Sequence, residues 1–249
     1  MKKKLKGIYL LISSIFIYFL HLPFAFAKSA TGNKLFFDPV DSATKASANL
    51  FPYIHGVKSV YDSLHLGLAG LSKQAFDYAK RGFNKLIEEG KLLNDSIISI
   101  IDFSQPSNRK RLYILDLKNY KVLFNTLVAH GKNTGREWAS YFSNQPSSYK
   151  SCPGFYITRE TYDGKNGYSL KLEGLERGIN DNAYERGIVV HGADYVSAAF
   201  VDAQGYIGRS EGCPAIPEQV SRPIINTIKE GTCLFIYHPS YIQQSAVFR

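Results

Sequence analysis

Residues Arg111 to Ala129 read RLYILDLKNYKVLFNTLVA, and this stretch decides which fold class the chain can adopt. Its two halves, Arg111 to Leu117 and Lys121 to Ala129, are rich in aromatic, aliphatic and β-branched residues, which favour strands. Between them, residues 118–120 (KNY) form a short polar break. Two strand-like runs on either side of a short break predict a β-hairpin.

Further strand-like segments lie on both sides of this hairpin, separated by Gly, Asn, Asp and Ser. They are Ile97–Phe103, Gly154–Arg159, Tyr168–Leu172, Gly187–His191 and Thr232–Tyr237. Short strands at this spacing favour antiparallel neighbours over a parallel sheet. The predicted fold class is therefore mainly β, an antiparallel β-sandwich or open barrel. One helix is predicted between the last two strands, at residues 218–229.

Helical periodicity precedes the strands. From Ser59 onward, apolar residues recur at helical spacing as far as Leu71, including Leu68. Ser72 then suits the N-cap of a second helix that ends at Gly90, with Ala75, Tyr78, Ala79, Gly82, Phe83, Leu86 and Ile87 on one face. We therefore predict an N-terminal arm and an α-helical N-terminal subdomain over residues 28–95 and a β domain over residues 96–249.

Residues 1–27 have the three parts of a secretory signal peptide: four lysines, an apolar run from Ile8 to Leu22, and the small-x-small site Ala25-Phe26-Ala27. The apolar run is shorter than the about 20 residues of a spanning helix, so cleavage is favoured over an uncleaved anchor. We expect a periplasmic or cell-envelope protein with no stable membrane span after cleavage.

Nearly half of the net positive charge of the chain lies in this same N-terminal segment. Four of the nine net positive charges belong to residues 1–27. The remainder has no basic stripe interleaved with aromatic residues, so no nucleic-acid partner is expected. It also has no zinc-type Cys/His spacing and no phosphate-binding glycine loop, so neither a metal nor an organic cofactor is expected.

The residues suited to catalysis lie between Arg186 and Pro217. His191 ends an apolar run before Gly192, and Cys213 lies in the segment SEGCP, residues 210–214. An imidazole beside a thiol can remove its proton and generate a nucleophile, so His191 is the predicted base and Cys213 the predicted nucleophile. Backbone N–H groups at Gly212 and Cys213 are predicted to stabilise an oxyanion. The alternative is a buried cysteine and a structural histidine.

Five further residues are candidates for binding substrate. Arg209 suits a carboxylate, and Ser210 lies close to the nucleophile. Gly192 and Tyr195 follow the catalytic histidine. His130 also ends a strand before a glycine, and it is either a binding residue or a turn residue.

The chain has three cysteines, and this odd number leaves at least one unpaired. If Cys213 is the nucleophile, Cys152 and Cys233 form either a disulfide or two buried thiols. The second alternative is favoured.

The segments Val190-His191-Gly192 and Ser210-Glu211-Gly212-Cys213 resemble the active-site signature of the L,D-transpeptidases, the YkuD-like family. They are most similar to the murein L,D-transpeptidase catalytic-domain subgroup, in which Pro follows the nucleophile. The similarity extends from about Leu71 to Tyr237. Glu211 stands where the main family usually has a second histidine, and the usual arginine after the nucleophile is absent, so the resemblance implies a different way of binding the substrate carboxylate.

The resemblance implies that residues 96–249 form an L,D-transpeptidase-like catalytic domain acting on peptidoglycan stem peptides. Cys213 would form a thioester acyl-enzyme, and an amine of a second stem peptide would resolve it into a 3-3 cross-link. An envelope protein is a further candidate acceptor. A backbone carbonyl is allowed as the group that orients His191. The alternatives are an L,D-carboxypeptidase or endopeptidase on the same scaffold and a non-catalytic cell-wall-binding module.

Overall fold

The computed structural model describes residues 59–245, which fold around one eight-stranded sheet. The strands are β1 (Ile97–Asp102), β2 (Leu112–Asp116), β3 (Lys121–Thr126), β4 (Gly154–Gly164), β5 (Gly167–Gly174), β6 (Val189–Ala193), β7 (Ala215–Pro217) and β8 (Cys233–Tyr237). The helices are α1 (Val60–Ser63), α2 (Lys73–Glu88), α3 (Ala198–Gln204), α4 (Glu218–Ile228) and α5 (Pro239–Ile242). The predicted signal peptide and the predicted arm up to residue 58 lie outside the described residues.

The strand order is β3-β2-β1-β8-β4-β5-β6-β7. Five of the seven neighbouring pairs are antiparallel, and β1·β8 and β6·β7 are parallel. Just beyond β3, Ala129 forms an antiparallel bridge to Ala215 of β7, with its N–H 2.8 Å from the Ala215 carbonyl oxygen. This bridge joins the two edges of the sheet, so the sheet is a nearly closed barrel. The predicted mainly β class is confirmed, as an open barrel instead of a sandwich.

Strands β1 and β8 are apolar at successive positions because both of their faces are covered. One apolar cluster contains residues of α4 together with Ile97, Ile101, Leu234 and Ile236. The other contains residues of α2 together with Ile98, Ile100, Cys233 and Phe235. Each fully buried aliphatic or aromatic side chain contributes about 1.5–3 kcal/mol. The two clusters therefore stabilise β1 and β8 on both faces of the sheet.

The helix α2 begins and ends where the sequence predicts. The Ser72 hydroxyl oxygen accepts a hydrogen bond from the Ala75 N–H at 2.9 Å, and Gly90 follows with φ +64°. Ile87, predicted on the buried face, is exposed to solvent. The first predicted helix is wrong beyond Ser63: α1 has only four residues, and the turns that follow leave Leu68 89% exposed. The domain boundary after residue 95 stays a prediction.

The sequence does not reveal β7, because prolines at 214 and 217 disfavour a strand. Three residues nevertheless pair in parallel with β6, with His191 opposite Ala215. This register places the segment around Cys213 beside the strand that carries His191. No helix within residues 59–245 is both long and apolar enough to span a membrane.

Candidate active site

A cavity of about 540 Å³ lies where β6, β7 and the segment before β7 meet. Five of the predicted site residues line it: Cys213, His191, Tyr195, Arg209 and Ser210. The tip of the β4–β5 hairpin contributes Tyr162, Lys165 and Asn166, and the loop before β4 contributes Ser147 and Tyr149. Segments that are distant in the sequence therefore meet around the predicted nucleophile.

The turn that carries Cys213 is fixed by its own residues and by a neighbouring loop. Gly212 has φ +130°, and a Cβ there would lie 2.9 Å from the Lys150 carbonyl oxygen, so the position requires glycine. The Ser210 hydroxyl donates to the Cys213 carbonyl at 2.6 Å, and the Ser151 hydroxyl donates to the Gly212 carbonyl at 3.0 Å. Ser210 therefore braces the turn as well as lining the cavity.

The two predicted oxyanion donors differ in availability. The Gly212 N–H already donates to the Ser210 hydroxyl oxygen at 3.1 Å. The Cys213 N–H has no hydrogen-bond partner among residues 59–245. The structure thus leaves one of the two predicted backbone donors available, and the contribution of Gly212 is its backbone conformation.

His191 is oriented by a backbone carbonyl. Its Nδ1 lies 2.8 Å from the Gly192 carbonyl oxygen. Because a carbonyl can only accept, we assign the proton to Nδ1, which leaves Nε2 with a lone pair. Burial lowers the pKa of His191, the Gly192 carbonyl opposes that shift, and Lys165 reinforces it. The imidazole is therefore a neutral base at neutral pH.

The Cys213 thiol is half-buried, and its S–H donates to the Gly187 carbonyl oxygen at 3.7 Å. Burial raises the pKa of Cys213, while the Val189 N–H and the Arg186 cation act in the opposite direction. No hydrogen bond joins the thiol to the His191 imidazole in this structure. The resting pair is thus a neutral thiol and a neutral imidazole that line the same cavity.

Two other predicted binding residues occupy different positions. The Arg209 Nη1 lies 3.3 Å from the carbonyl oxygens of Lys132 and Gly135, and its exposed side chain lines the cavity. Gly192 faces α4, where a Cβ would lie 2.8 Å from the Ser221 hydroxyl oxygen. Gly192 therefore acts on His191 through its carbonyl and does not line the cavity.

His130 is fully buried and does not line the cavity. Its Nδ1 accepts a hydrogen bond from the Arg111 guanidinium at 2.8 Å, and its Nε2 lies 3.3 Å from the Gly135 carbonyl oxygen. Burial, followed by the Arg111 cation, lowers the pKa of His130 to about 3. Both ring nitrogens are engaged inside the protein, which favours the structural alternative, and the binding role of His130 stays a prediction.

Sequence reasoning missed the role of Arg186. Its guanidinium donates to the Ser143 carbonyl at 2.8 Å, to the Lys150 carbonyl at 2.7 Å and to the Cys152 sulfur at 3.3 Å. Arg186 thereby holds the loop whose Lys150 and Ser151 contact the nucleophile turn. No local pattern signals this role, because the partners lie 34 to 43 positions away.

All three cysteines are free, so the disulfide alternative for Cys152 and Cys233 is wrong and both are buried thiols. Cys152 accepts a hydrogen bond from the Tyr156 hydroxyl at 3.1 Å, and Cys233 lies in β8. Among residues 59–245 there is no cluster of three or more His, Cys, Asp or Glu side chains that could hold a metal ion.

Similar proteins were found among solved structures. The L,D-transpeptidase from Mycobacterium smegmatis is 11% identical, with a TM-score of 0.37 over 57% of this chain and 59% of that chain. The one from Stackebrandtia nassauensis is 15% identical, with a TM-score of 0.35 over 67% of each chain. An LD transpeptidase in complex with imipenem is 14% identical, with a TM-score of 0.36 over 57% of this chain and 59% of that chain. The chain thus spans about three fifths of the first of these structures.

No curated protein matches this chain. The sequence profile described as the L,D-transpeptidase catalytic domain matches residues 68–237, which is well over half of the chain. The matched residues run from just before α2 to the end of β8 and include both His191 and Cys213. The chain therefore belongs to the L,D-transpeptidase catalytic-domain family.

Proposed function

We propose that this chain is an exported peptidoglycan L,D-transpeptidase that uses Cys213 as its nucleophile and His191 as its base. One observation carries the proposal. Cys213 and His191 line a single cavity, the His191 Nε2 is left as an acceptor, and the Cys213 N–H has no partner among residues 59–245. These are a nucleophile, a base and an oxyanion donor, the three groups that acyl transfer requires.

In the first step, His191 Nε2 takes the thiol proton while the Cys213 sulfur attacks a peptide carbonyl of the donor stem. The bond attacked joins the diamino acid at position three to the terminal D-Ala. The oxyanion of the tetrahedral intermediate accepts a hydrogen bond from the Cys213 N–H. The imidazolium then protonates the leaving amine, so D-Ala departs and a thioester remains on Cys213.

In the second step, an amine of another stem peptide attacks the thioester carbonyl. His191 takes a proton from that amine, the tetrahedral intermediate collapses, and the Cys213 thiolate leaves and is reprotonated. The product is a 3-3 cross-link. An envelope protein that offers an amine would be attached to the wall by the same step, and water would give a tripeptide. Neither step requires a metal or an organic cofactor.

The rim of the cavity supports binding of an anionic peptide. Arg209 and Lys165 are exposed cations on different walls of the cavity, and Arg209 presents a planar guanidinium that suits a carboxylate. Glu211 points to the same space but pairs with Lys132 at 3.1 Å. We assign Arg209 to a carboxylate of the stem peptide, in place of the arginine that usually follows the nucleophile.

Export and a periplasmic or cell-envelope location belong to the same proposal. They are supported by the charged start, apolar run and small-x-small site in residues 1–27. N-terminal sequencing of the protein recovered from the cell envelope should begin at Lys28. Recovery of protein that begins at Met1 would contradict cleavage.

The decisive experiment incubates purified disaccharide-tetrapeptide muropeptides with the protein, with Cys213→Ala and with Cys233→Ala, followed by mass spectrometry. We expect a tripeptide-tetrapeptide dimer with the first and third proteins and none with Cys213→Ala. The Cys233→Ala variant is the matched control because that thiol is buried in β8, away from the cavity. Tripeptide without dimer would replace the transpeptidase by a carboxypeptidase, and unchanged muropeptides would favour a wall-binding module.

A further inference from the structure

The predicted oxyanion site is one donor short. The Gly212 N–H is held by the Ser210 hydroxyl at 3.1 Å, and the Ser210 hydroxyl proton is itself donated to the Cys213 carbonyl at 2.6 Å. Of the two predicted backbone donors, only the Cys213 N–H lacks a partner among residues 59–245. A tetrahedral oxyanion has more than one lone pair to satisfy, and each donor aimed at it contributes roughly 3–4 kcal/mol to transition-state stabilisation. A second donor from another segment would therefore matter.

Tyr195 brings a hydroxyl into the same cavity as the thiol. It lies two residues beyond the end of β6, on a turn in which the Val196 N–H donates to the Ala193 carbonyl at 3.2 Å. Its ring lies against Gly208, where a Cβ would be 2.5 Å from the Tyr195 Cβ. The Gly208 N–H also donates to the Tyr195 carbonyl at 2.8 Å. The tyrosine is thus held on both its backbone and its ring.

The Tyr195 hydroxyl has no hydrogen-bond partner within the part of the chain that the structure describes, although its side chain is half-buried. Buried or half-buried tyrosine hydroxyls usually find a partner, so an unused donor in a cavity suggests a ligand group. Burial, followed by the charge of a Cys213 thiolate, raises the pKa of Tyr195 to about 12. The phenol therefore keeps its proton while the thiolate forms.

The other tyrosines on the cavity wall lie in a different environment. The Lys132 ammonium lies 3.8 Å from the centre of the Tyr149 ring, and the Lys171 ammonium lies 5.7 Å from that of Tyr162. Tyr149 and Tyr162 are also 38% and 39% exposed, so water can satisfy their hydroxyls, whereas Tyr195 is half-buried.

We propose that the Tyr195 hydroxyl is the second oxyanion donor, acting together with the Cys213 N–H. This role deepens the proposed function and rests on its assignment of Cys213 as the nucleophile. The donated hydrogen bond forms as the carbonyl oxygen of the donor peptide becomes negative, and it is released when the thioester carbonyl re-forms. The phenol neither loses nor gains a proton in this step.

The test compares two reactions of the same thiol. Acylation of Cys213 by 4-nitrophenyl acetate passes through a tetrahedral oxyanion, whereas alkylation by iodoacetamide does not. We expect Tyr195→Phe to slow the first reaction by about 100-fold and to leave the second unchanged. Tyr206→Phe is the matched control, since Tyr206 lies nearby in sequence but its hydroxyl accepts from the Arg136 guanidinium at 2.9 Å. It should change neither rate, and Cys213→Ala supplies the blank for both.

Equal acylation rates for Tyr195→Phe and the unmodified protein would overturn the proposal. A parallel loss in both reactions would also overturn it, because Tyr195 would then act on the thiol itself and not on the oxyanion. The muropeptide experiment separates this inference from the proposed function. Suppose that Tyr195→Phe slows ester acylation but the unmodified protein leaves muropeptides intact. The role of Tyr195 as a donor would then stand, and the proposed peptidoglycan substrate would be rejected.

Discussion

Two His-Gly segments, His191-Gly192 and His130-Gly131, differ in what surrounds the imidazole. Each histidine lies at the end of an apolar segment and precedes a glycine. His191 has one ring nitrogen bound to the Gly192 carbonyl and faces the cavity. His130 has both nitrogens engaged, one by Arg111 and the other by Gly135, and is fully buried. A nitrogen left free beside a cavity, not the His-Gly pattern, distinguishes a base from a structural histidine.

The charges near the two rings differ as well. Burial and then the neighbouring Arg111 guanidinium lower the pKa of His130 to about 3, so it stays neutral throughout the physiological range. Burial lowers the pKa of His191, the Gly192 carbonyl opposes that shift, and the exposed Lys165 adds a smaller lowering. His191 can therefore gain and lose a proton during a reaction, whereas His130 stabilises the loop that leads to the nucleophile turn. The Ser210 N–H donates to the His130 carbonyl at 3.0 Å, which links the two regions.

The largest effect on activity is expected from His191→Ala. We expect kcat/KM on muropeptides to fall by about 10²- to 10⁴-fold, because general-base catalysis contributes on that scale. Thermal unfolding should show little change in Tm. The control is His238→Asn, in which asparagine can keep the N-cap of α5 and the cavity is untouched. Full activity in His191→Ala would remove it as the base.

The second substitution is His130→Ala, which should lower the free energy of unfolding more than it lowers the reaction rate. Removing the acceptor of a buried charged donor costs about 3 kcal/mol, and Arg111 has no carboxylate hydrogen-bonded to it. Urea unfolding measures this loss as a lower transition midpoint at an unchanged slope. An unaltered midpoint would show that Arg111 is satisfied without the imidazole.

The buried His130 should also make the stability of the protein depend on pH. In the unfolded chain His130 takes up a proton near pH 6.5, but in the folded protein only near pH 3. Because the unfolded state binds the extra proton between these values, the free energy of unfolding falls as pH decreases from 6.5 to 3, by at most about 1.4 kcal/mol per unit for this group. His130→Gln should lose this part of the slope. An identical slope in both proteins would contradict the buried neutral imidazole.

The smallest expected effect is a change in the pKa of His191. Lys165→Met removes a cation that lowers the pKa of His191, so the acid limb of kcat/KM should move to higher pH. Lys165 is exposed, so salt should reduce the difference between variant and unmodified protein. The Lys171→Met variant of the same hairpin is the control, since Lys171 pairs instead with Glu160. A shift to lower pH would contradict the proposed arrangement.

Much of the barrel could be predicted because its strands have a local signal. Seven of the eight strands overlap segments that the sequence predicts as strands, although β4, β5 and β6 extend beyond the predicted bounds. The helix α2 has both its N-cap serine and its terminal glycine. The exceptions have physical reasons. β7 is three residues long and contains a proline, and it forms because β6 and Ala129 supply its hydrogen bonds. The helix predicted beyond Ser63 fails because no surface covers Leu68.

The sequence by itself determined the family and the β class and named His191 and Cys213 as candidates, since these depend on residue types at short range. Tertiary structure alone decided that Gly212 has a single suitable conformation, that its N–H is already used, and that Arg186 holds the loop beneath it. It also decided which histidine faces the cavity. Hydrogen bonds and burial depend on what lies across the fold from each residue, and in the local sequence His130 and His191 have the same signal.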